Sequence, residues 1–477
     1  MYKFDAVINN KFIEGKERLN ILDPTTLQTG GTVAALDEQD IDNAFLAARA
    51  AFPAWRDLTL IQRINYLTKW NELIAKNREE IAKIMTIEVA KNYKDALTEV
   101  DRTVEYITYT LEEAKRLEPM AFTGAGYDVQ NKYAIYERLP KGVGLAISPF
   151  NYPINLAMSK IAPDLVMGNT VVFKPATAGS MTGSMLGKLA VEAGLPAGIF
   201  NVVTGRGSVI GDIITQNKEL DFISFTGSVD VGHHILEIAS TKDVILELGG
   251  KDPVLVLDDK NLDFYSDQII SGAFSYSGQR CTAIKRVLTT NAIADKLVPL
   301  LKERIEKLTV GKPMDNADIT PVISPKAADF VQSLIDGAIK DGATVVIGNK
   351  RDNNLMAPTL MDHVSLKSDL AWEEPFGPVL PIIRNDDINE LIKIANESVY
   401  GLQAAVFSQD IDLAITVAKQ LETGTANING KTQRGPDSFP FMGIKDSGFG
   451  VQGIHETLLS CTRLKGIVIN YKNPLTK

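Results

Sequence analysis

From Gly142 onward the chain carries short apolar runs separated by amphipathic stretches: GLAIS, VVF at 171–173, FNVVT at 200–204, FISF at 222–225, then VILEL. No other feature restricts the fold as much. Continuous apolar runs of strand length, spaced by helical patterns, are the signature of a parallel βα sheet buried on both faces. A second set begins near VLVLDD at 254–259 and continues through KRVLTT, ATVVIG, LQAAVFS and TANING. The expected class is therefore α/β, with two doubly wound open-sheet domains and a ligand cleft between them.

Ahead of these sets, residues 1–36 read as short strands, with Asn9-Asn10 as a tight turn between VI and KFI. Helical spacing then runs from Asp40 to about Leu117, with breaks expected near Pro53 and near Lys91. The stretch YDVQNKYAIYERLP, residues 127–140, alternates like the strands of a hairpin.

Composition narrows the classes of function. A formal net charge of -9, spread without long blocks of one sign, argues against a general nucleic-acid or anionic-membrane partner. The N-terminus lacks the layout of a secretion signal, and no apolar run reaches the roughly 18 residues of a membrane span, so a cytoplasmic location is expected. With only Cys281 and Cys461, neither a disulfide framework nor a cysteine metal site is expected, and no metal is called for. The dinucleotide fingerprint G-x-G-x-x-G is missing, because Gly142-Val143-Gly144 enters a strand instead of leaving one. Its place can be taken by FTGSVDVG, residues 225–232, where Gly227 and Ser228 join a strand end to a helix start suited to a phosphate. Ser228 also suits a plain helix cap.

Cys281 stands in YSGQRCTA, between Arg280 and Thr282 and after a glycine. A free cysteine is often an inert, buried, small residue. As a nucleophile it would need help, since a thiol of pKa about 8.5 is only slightly ionised at neutral pH; Arg280 is the neighbour able to stabilise its anion. The four histidines, His233, His234, His363 and His455, lie away from it in sequence and read as surface positions.

Three segments, AISPFNYP at 146–153, LELGGKDP at 246–253 and SGQRCTA, are followed by EEPFGPVLP at 373–381 and FPFMGIKDSGFG at 439–450. In this order they resemble the aldehyde dehydrogenase superfamily over nearly the whole chain. The resemblance implies that Cys281 attacks an aldehyde, that the Asn151 amide and the Cys281 N–H receive the oxyanion, and that Glu247 activates the water that hydrolyses the thioester. It also implies a cofactor site. Lys174 would face the adenine ribose, Glu374 would bind the nicotinamide ribose, Phe376 would pack near the ring, and Ser148 and Asp212 are further candidates. Where members that prefer NAD commonly carry an acid, this chain has Thr177, which favours NADP over NAD.

Arg280 and Arg434 suggest a substrate with an anionic tail, and Arg102 and Tyr152 would complete a phosphate clamp with Thr282 at its edge. Arg102 could instead pair with Asp101 or Glu99. NYPINL, SGQRCTA and KTQRG resemble the branch of the superfamily that oxidises glyceraldehyde 3-phosphate to 3-phosphoglycerate with NADP and without inorganic phosphate. Succinate semialdehyde, which carries a carboxylate tail, is the nearest rival substrate; a cysteine hydrolase and a non-catalytic dinucleotide-binding scaffold are rivals of other kinds. The resemblance further implies a dinucleotide-binding domain at 1–117 and 141–248 and a catalytic domain at 249–454. An oligomerisation arm at 118–140 and 455–477 would build a homotetramer from dimers, its strand GIVIN adding to a neighbour's sheet.

Overall fold

The protein is represented by a computed structural model that describes residues 1–127, 129 and 131–472. The five runs after Gly142 form strands Val143–Ser148, Thr170–Pro175, Phe200–Val202, Phe222–Thr226 and Asp243–Glu247, all parallel. The first strand lies in the middle, the second and third stack to one side, and the fourth and fifth to the other. Alternate residues serve different cores. Val143, Leu145 and Ile147 pack with Phe225 and with Ile41 and Phe45 of the helix Glu38–Arg56. Ala146, Val171 and Phe173 face the opposite layer, which holds Trp55, Trp70 and Tyr106. Burial on both faces is why these segments read as continuous apolar runs.

Antiparallel strands finish this sheet at both edges. Ala6–Ile8 and Lys11–Ile13 close one edge, joined by Asn9 and Asn10 at φ 52° and 60°, the left-handed pair that a two-residue hairpin requires. Gly448–Phe449 closes the other against Asp243–Glu247.

The second sheet has seven strands, with Pro253–Val256, Arg286–Thr289, Val379–Arg384, Gln403–Phe407 and Thr425–Ile428 among its parallel members. It too separates two cores, with Leu255 and Leu288 on one side and Val254, Val256 and Val287 on the other. The fold is thus α/β with two doubly wound sheets and a small β element.

Two expectations need correction. The helix Glu38–Arg56 runs through Pro53, and the break comes at residues 57–59, where Thr59 and Gln62 form a capping box for Leu60–Lys76. Near Lys91 the break is as expected: Arg78–Val89 ends at Ala90, left-handed at φ 50°, and Asn92 caps Tyr93–Ala114. The second correction concerns 127–140, of which Asp128 and Gln130 lie outside the described residues. Among its described residues there is no hairpin. Lys132–Pro140 is one nine-residue strand, paired on one side with Met120–Thr123 and on the other with Thr462–Asn470. Alternation is the same for one long strand as for two short ones, so the pattern could not separate them. GIVIN is consequently paired along one edge within its own chain, while its other edge is open and Ile467, Val468 and Ile469 are exposed. Among the described residues no helix is long and apolar enough to cross a membrane.

Candidate active site

The switch in strand order falls between Val143–Ser148 and Phe222–Thr226, and in doubly wound sheets ligands bind beyond the carboxyl ends of strands at that point. Ser148 ends the first of these strands, and Gly227 and Ser228 follow the second. Opposite them stands the loop that carries Cys281. The helix Leu262–Phe274 stops at Ser275, and Tyr276, Ser277 and Gly278 are all left-handed, at φ 51°, 54° and 73°. That conformation costs about 1–2 kcal/mol for each residue with a side chain. Long-range bonds hold it: Tyr276 Oη donates to Val89 O at 2.8 Å, and Ser277 Oγ to Thr320 O at 2.7 Å. Gly278 is required by space as well as by φ, because a Cβ there would lie 2.4 Å from the carbonyl oxygen of Gly377.

Cys281 lines two cavities at once. The larger, about 950 Å³, brings together Ser148, Lys174, Thr177, Asp212, Gly227, Ser228, Glu374 and Phe376, with Asn151 beside them. The smaller, about 240 Å³, brings together Arg102, Tyr152, Arg280, Thr282 and Arg434. The half-buried thiol sits where the two meet.

Electrostatics around the thiol differ from the expectation. Burial pushes the Cys281 pKa up to about 11; Lys285 opposes this, and the carboxylates of Glu247, Glu374 and Asp252 add to it. The cation that eases ionisation is thus Lys285, four residues on, and not Arg280. Lys285 Nζ donates to the Cys281 carbonyl and pairs with Glu374 at 2.7 Å. Arg280 points its guanidinium to the Gly272 carbonyl, and its Nε is buried without a partner.

Asn151 Nδ2 donates to Gln279 O at 3.0 Å, which fixes the amide beside the nucleophile loop. Among the described residues no group accepts a hydrogen bond from the Cys281 N–H. Glu247 is buried and lines neither cavity; its Oε2 accepts from Arg434 Nη1 at 2.8 Å, and its Oε1 has no partner. Burial raises its pKa, against the pull of Arg434 and Lys160. Arg434 is accordingly held inside on Glu247 and Gln452, not at a cleft mouth. Arg102 pairs with Asp437 at 2.6 Å, while Asp101 is taken by Arg78 and Glu99 by Lys91.

The residues of the larger cavity fit a dinucleotide that carries an extra phosphate. Among the described residues Lys174 Nζ bonds only to the Pro175 carbonyl and has no carboxylate in ion-pair contact, and burial lowers its pKa to about 8. Ser228 stands at the N-terminus of Val229–Ile238 but makes no side-chain cap bond, so the plain capping role is not taken up. Ser148 Oγ is buried without a partner. Asp212 pairs with His234 at 2.9 Å. All four histidines are exposed, as expected, although His234 also borders this cavity.

Several residues escaped sequence reasoning. Lys91 lies beneath Asn151 and Tyr152, donating to the Asn151 carbonyl at 2.6 Å with Nζ 3.7 Å from the Tyr152 ring centroid. Lys431 lines the smaller cavity. Its signal was present, three residues before Arg434 in the same glycine-rich loop, whereas Lys91 is remote in sequence from Asn151, Tyr152 and Tyr276, and only its ion-pair partner Glu99 is near it in the chain.

The model of the aldehyde dehydrogenase family matches residues 12–467. The chain belongs to that family. Among curated relatives, this aldehyde dehydrogenase is 49% identical over 470 residues to the NADP-dependent glyceraldehyde-3-phosphate dehydrogenase of Streptococcus equinus, covering 98% of this chain and 99% of the relative. It is 41% identical to the enzyme of the same name from Pisum sativum over 481 residues, 99% of this chain and 96% of the relative. Among solved structures it is similar, with a TM-score of 0.97 and 50% identity, to the NADP-dependent glyceraldehyde-3-phosphate dehydrogenase of Bacillus halodurans C-125 complexed with NADP, covering 98% of this chain and 100% of that one.

Proposed function

We propose that this aldehyde dehydrogenase oxidises glyceraldehyde 3-phosphate to 3-phosphoglycerate with NADP, and with NAD more weakly, without inorganic phosphate. The observation that carries the reading is the placement of Cys281 between a cavity fit for a phosphorylated dinucleotide and a small cavity rich in cations. The names of the relatives point the same way.

In this reading Cys281 Sγ adds to the aldehyde carbon, and the oxygen, now negative, is received by Asn151 Nδ2 and the Cys281 N–H. Ser148, Lys174, Thr177, Asp212, Gly227, Ser228, Glu374 and Phe376 would hold NADP, which when bound would supply the acceptor for the hydride lost from the aldehyde carbon as Cys281 becomes a thioester. Glu247 then takes a proton from water, whose oxygen adds to the thioester carbon; the thiolate departs and the acid is released. Arg102, Tyr152, Arg280, Thr282 and Arg434 surround the far end of the substrate. A carboxylate tail suits a smaller charge than this cavity offers, which ranks succinate semialdehyde second. The deciding assay supplies NADP and either aldehyde in phosphate-free buffer. NADPH should form with glyceraldehyde 3-phosphate, and an absolute need for inorganic phosphate would refute the reading.

Cofactor choice gives a separate prediction. Thr177→Glu should weaken NADP about tenfold or more relative to NAD, since a carboxylate would oppose the 2′-phosphate. Titration of both cofactors by fluorescence measures it, and equal losses would place Thr177 away from that group.

The domain limits we propose are 1–117 with 141–248 for the cofactor, 249–454 for catalysis, and 118–140 with 455–477 as an arm. The two large sheets support the first division, although Gly448–Phe449 pairs across it with Asp243–Glu247. For the arm, exposed Tyr133, Ile135, Ile467 and Val468 and the open edge of Thr462–Asn470 favour a homotetramer built from dimers, in the cytoplasm. Light scattering that returns a species of 52.1 kDa would remove the arm's role.

A further inference from the structure

The smaller cavity is lined by five cations, Lys91, Arg102, Arg280, Lys431 and Arg434. Three of them are already answered by carboxylates: Lys91 by Glu99, Arg102 by Asp437 at 2.6 Å, and Arg434 by Glu247 at 2.8 Å. Among the described residues, Arg280 and Lys431 have no carboxylate within ion-pair distance. Arg280 is buried, with Nε unpartnered, and the only hydrogen bond of its side chain to a described residue is to the Gly272 carbonyl. Lys431 Nζ donates to Ser271 Oγ at 2.7 Å. Burial, then the charge of Arg280, lowers the Lys431 pKa, and Asp95, which lines the same cavity beyond ion-pair distance, opposes this shift.

We propose that Lys431 is a specificity-determining residue that, together with Arg280, receives the second negative charge of a phosphate monoester at the far end of the substrate. This rests on the reading of the smaller cavity as the site of a phosphorylated aldehyde. A phosphate monoester is close to a dianion at neutral pH, whereas a carboxylate carries a single charge. The paired cations contribute hydrogen-bond donors but little net charge; the two outside ion pairs, offset in part by Asp95 at the same cavity, supply the net positive charge that separates the two tails. Lys431 reaches the cavity from the loop 429–436, whereas Arg280 comes from the nucleophile loop, so the tail would be gripped from two independent segments.

The test compares glyceraldehyde 3-phosphate with unphosphorylated glyceraldehyde in the wild type, Lys431→Met and Lys431→Arg. With Lys431→Met the preference for the phosphorylated aldehyde, taken as the ratio of kcat/KM values, should fall about tenfold to a hundredfold, mainly through KM, as expected for one charge-assisted hydrogen bond. Lys431→Arg should restore most of it. Calorimetric binding of 3-phosphoglycerate, which needs no turnover, should weaken in parallel. A Lys431→Met enzyme that loses both substrates equally, or keeps its full preference, overturns the role of Lys431 while leaving the function intact. A wild type with no preference for the phosphorylated aldehyde fails the function itself, and the role of Lys431 falls with it.

Discussion

Glu247→Gln is expected to produce one NADPH per site in the first turnover and then a steady rate lowered about 10²–10⁴-fold, the usual worth of a general base. The asymmetry follows from where Glu247 stands. Asn151 and the Cys281 N–H do not depend on it, and losing its charge would ease ionisation of the thiol, so the acyl group can form. In the proposed mechanism hydrolysis does depend on it, because Glu247 Oε1 is a buried carboxylate oxygen with no partner among the described residues, while Oε2 is held by Arg434. Glutamine can still accept from Arg434 but cannot take a proton. Since burial raises the pKa of Glu247, the wild-type steady rate should decline on acidification from a higher pH than an ordinary carboxylate would give. Stopped-flow absorbance separates the phases, and an unchanged steady rate would exclude Glu247 as the base.

For Cys281→Ser the burst itself should vanish, with turnover down by at least about 10⁴-fold, because a hydroxyl ionises far less readily than a thiol and leaves an acyl group less readily. A covalent readout is available alongside the kinetics. Cys461 is fully enclosed, with Sγ against the carbonyls of Pro163 and Leu458, so alkylation of the native protein should report Cys281 alone. Native mass spectrometry after iodoacetamide should show one adduct in the wild type and none in the variant. A burst surviving in Cys281→Ser would mean that the chemistry runs through another group.

Much of this was legible in the chain before any coordinates. Runs such as VVF and FISF announce strands buried on both faces because each lies between two helical layers, and the strand-end positions of Ser148 and Gly227 followed from that. Apart from Glu247, which lines neither cavity, the site residues singled out in the sequence line them, since each belongs to a short motif of local meaning. What failed was pairing at a distance. Arg102 selects Asp437, 335 residues away, over its neighbour Asp101 because both have better partners elsewhere. Lys285 displaces Arg280 as the cation that matters to the thiol because the turn after Gly278 sends the Arg280 guanidinium toward Gly272. The single strand Lys132–Pro140 passed for two because its partners, at 120–123 and 462–470, lie outside the window that alternation inspects.

A thiol reached from two chambers gives the catalytic cycle two doorways. In the proposed cycle nucleotide traffic would use the larger chamber and carbon-skeleton traffic the smaller, so neither leaving group would cross the other's route. A single doorway would impose a queue, with the last to enter being the first to leave. In that reading the order of departure would be set instead by how tightly each chamber holds its occupant, and the two exits could be tuned separately, by substitutions around Lys174 in one and around Lys431 in the other.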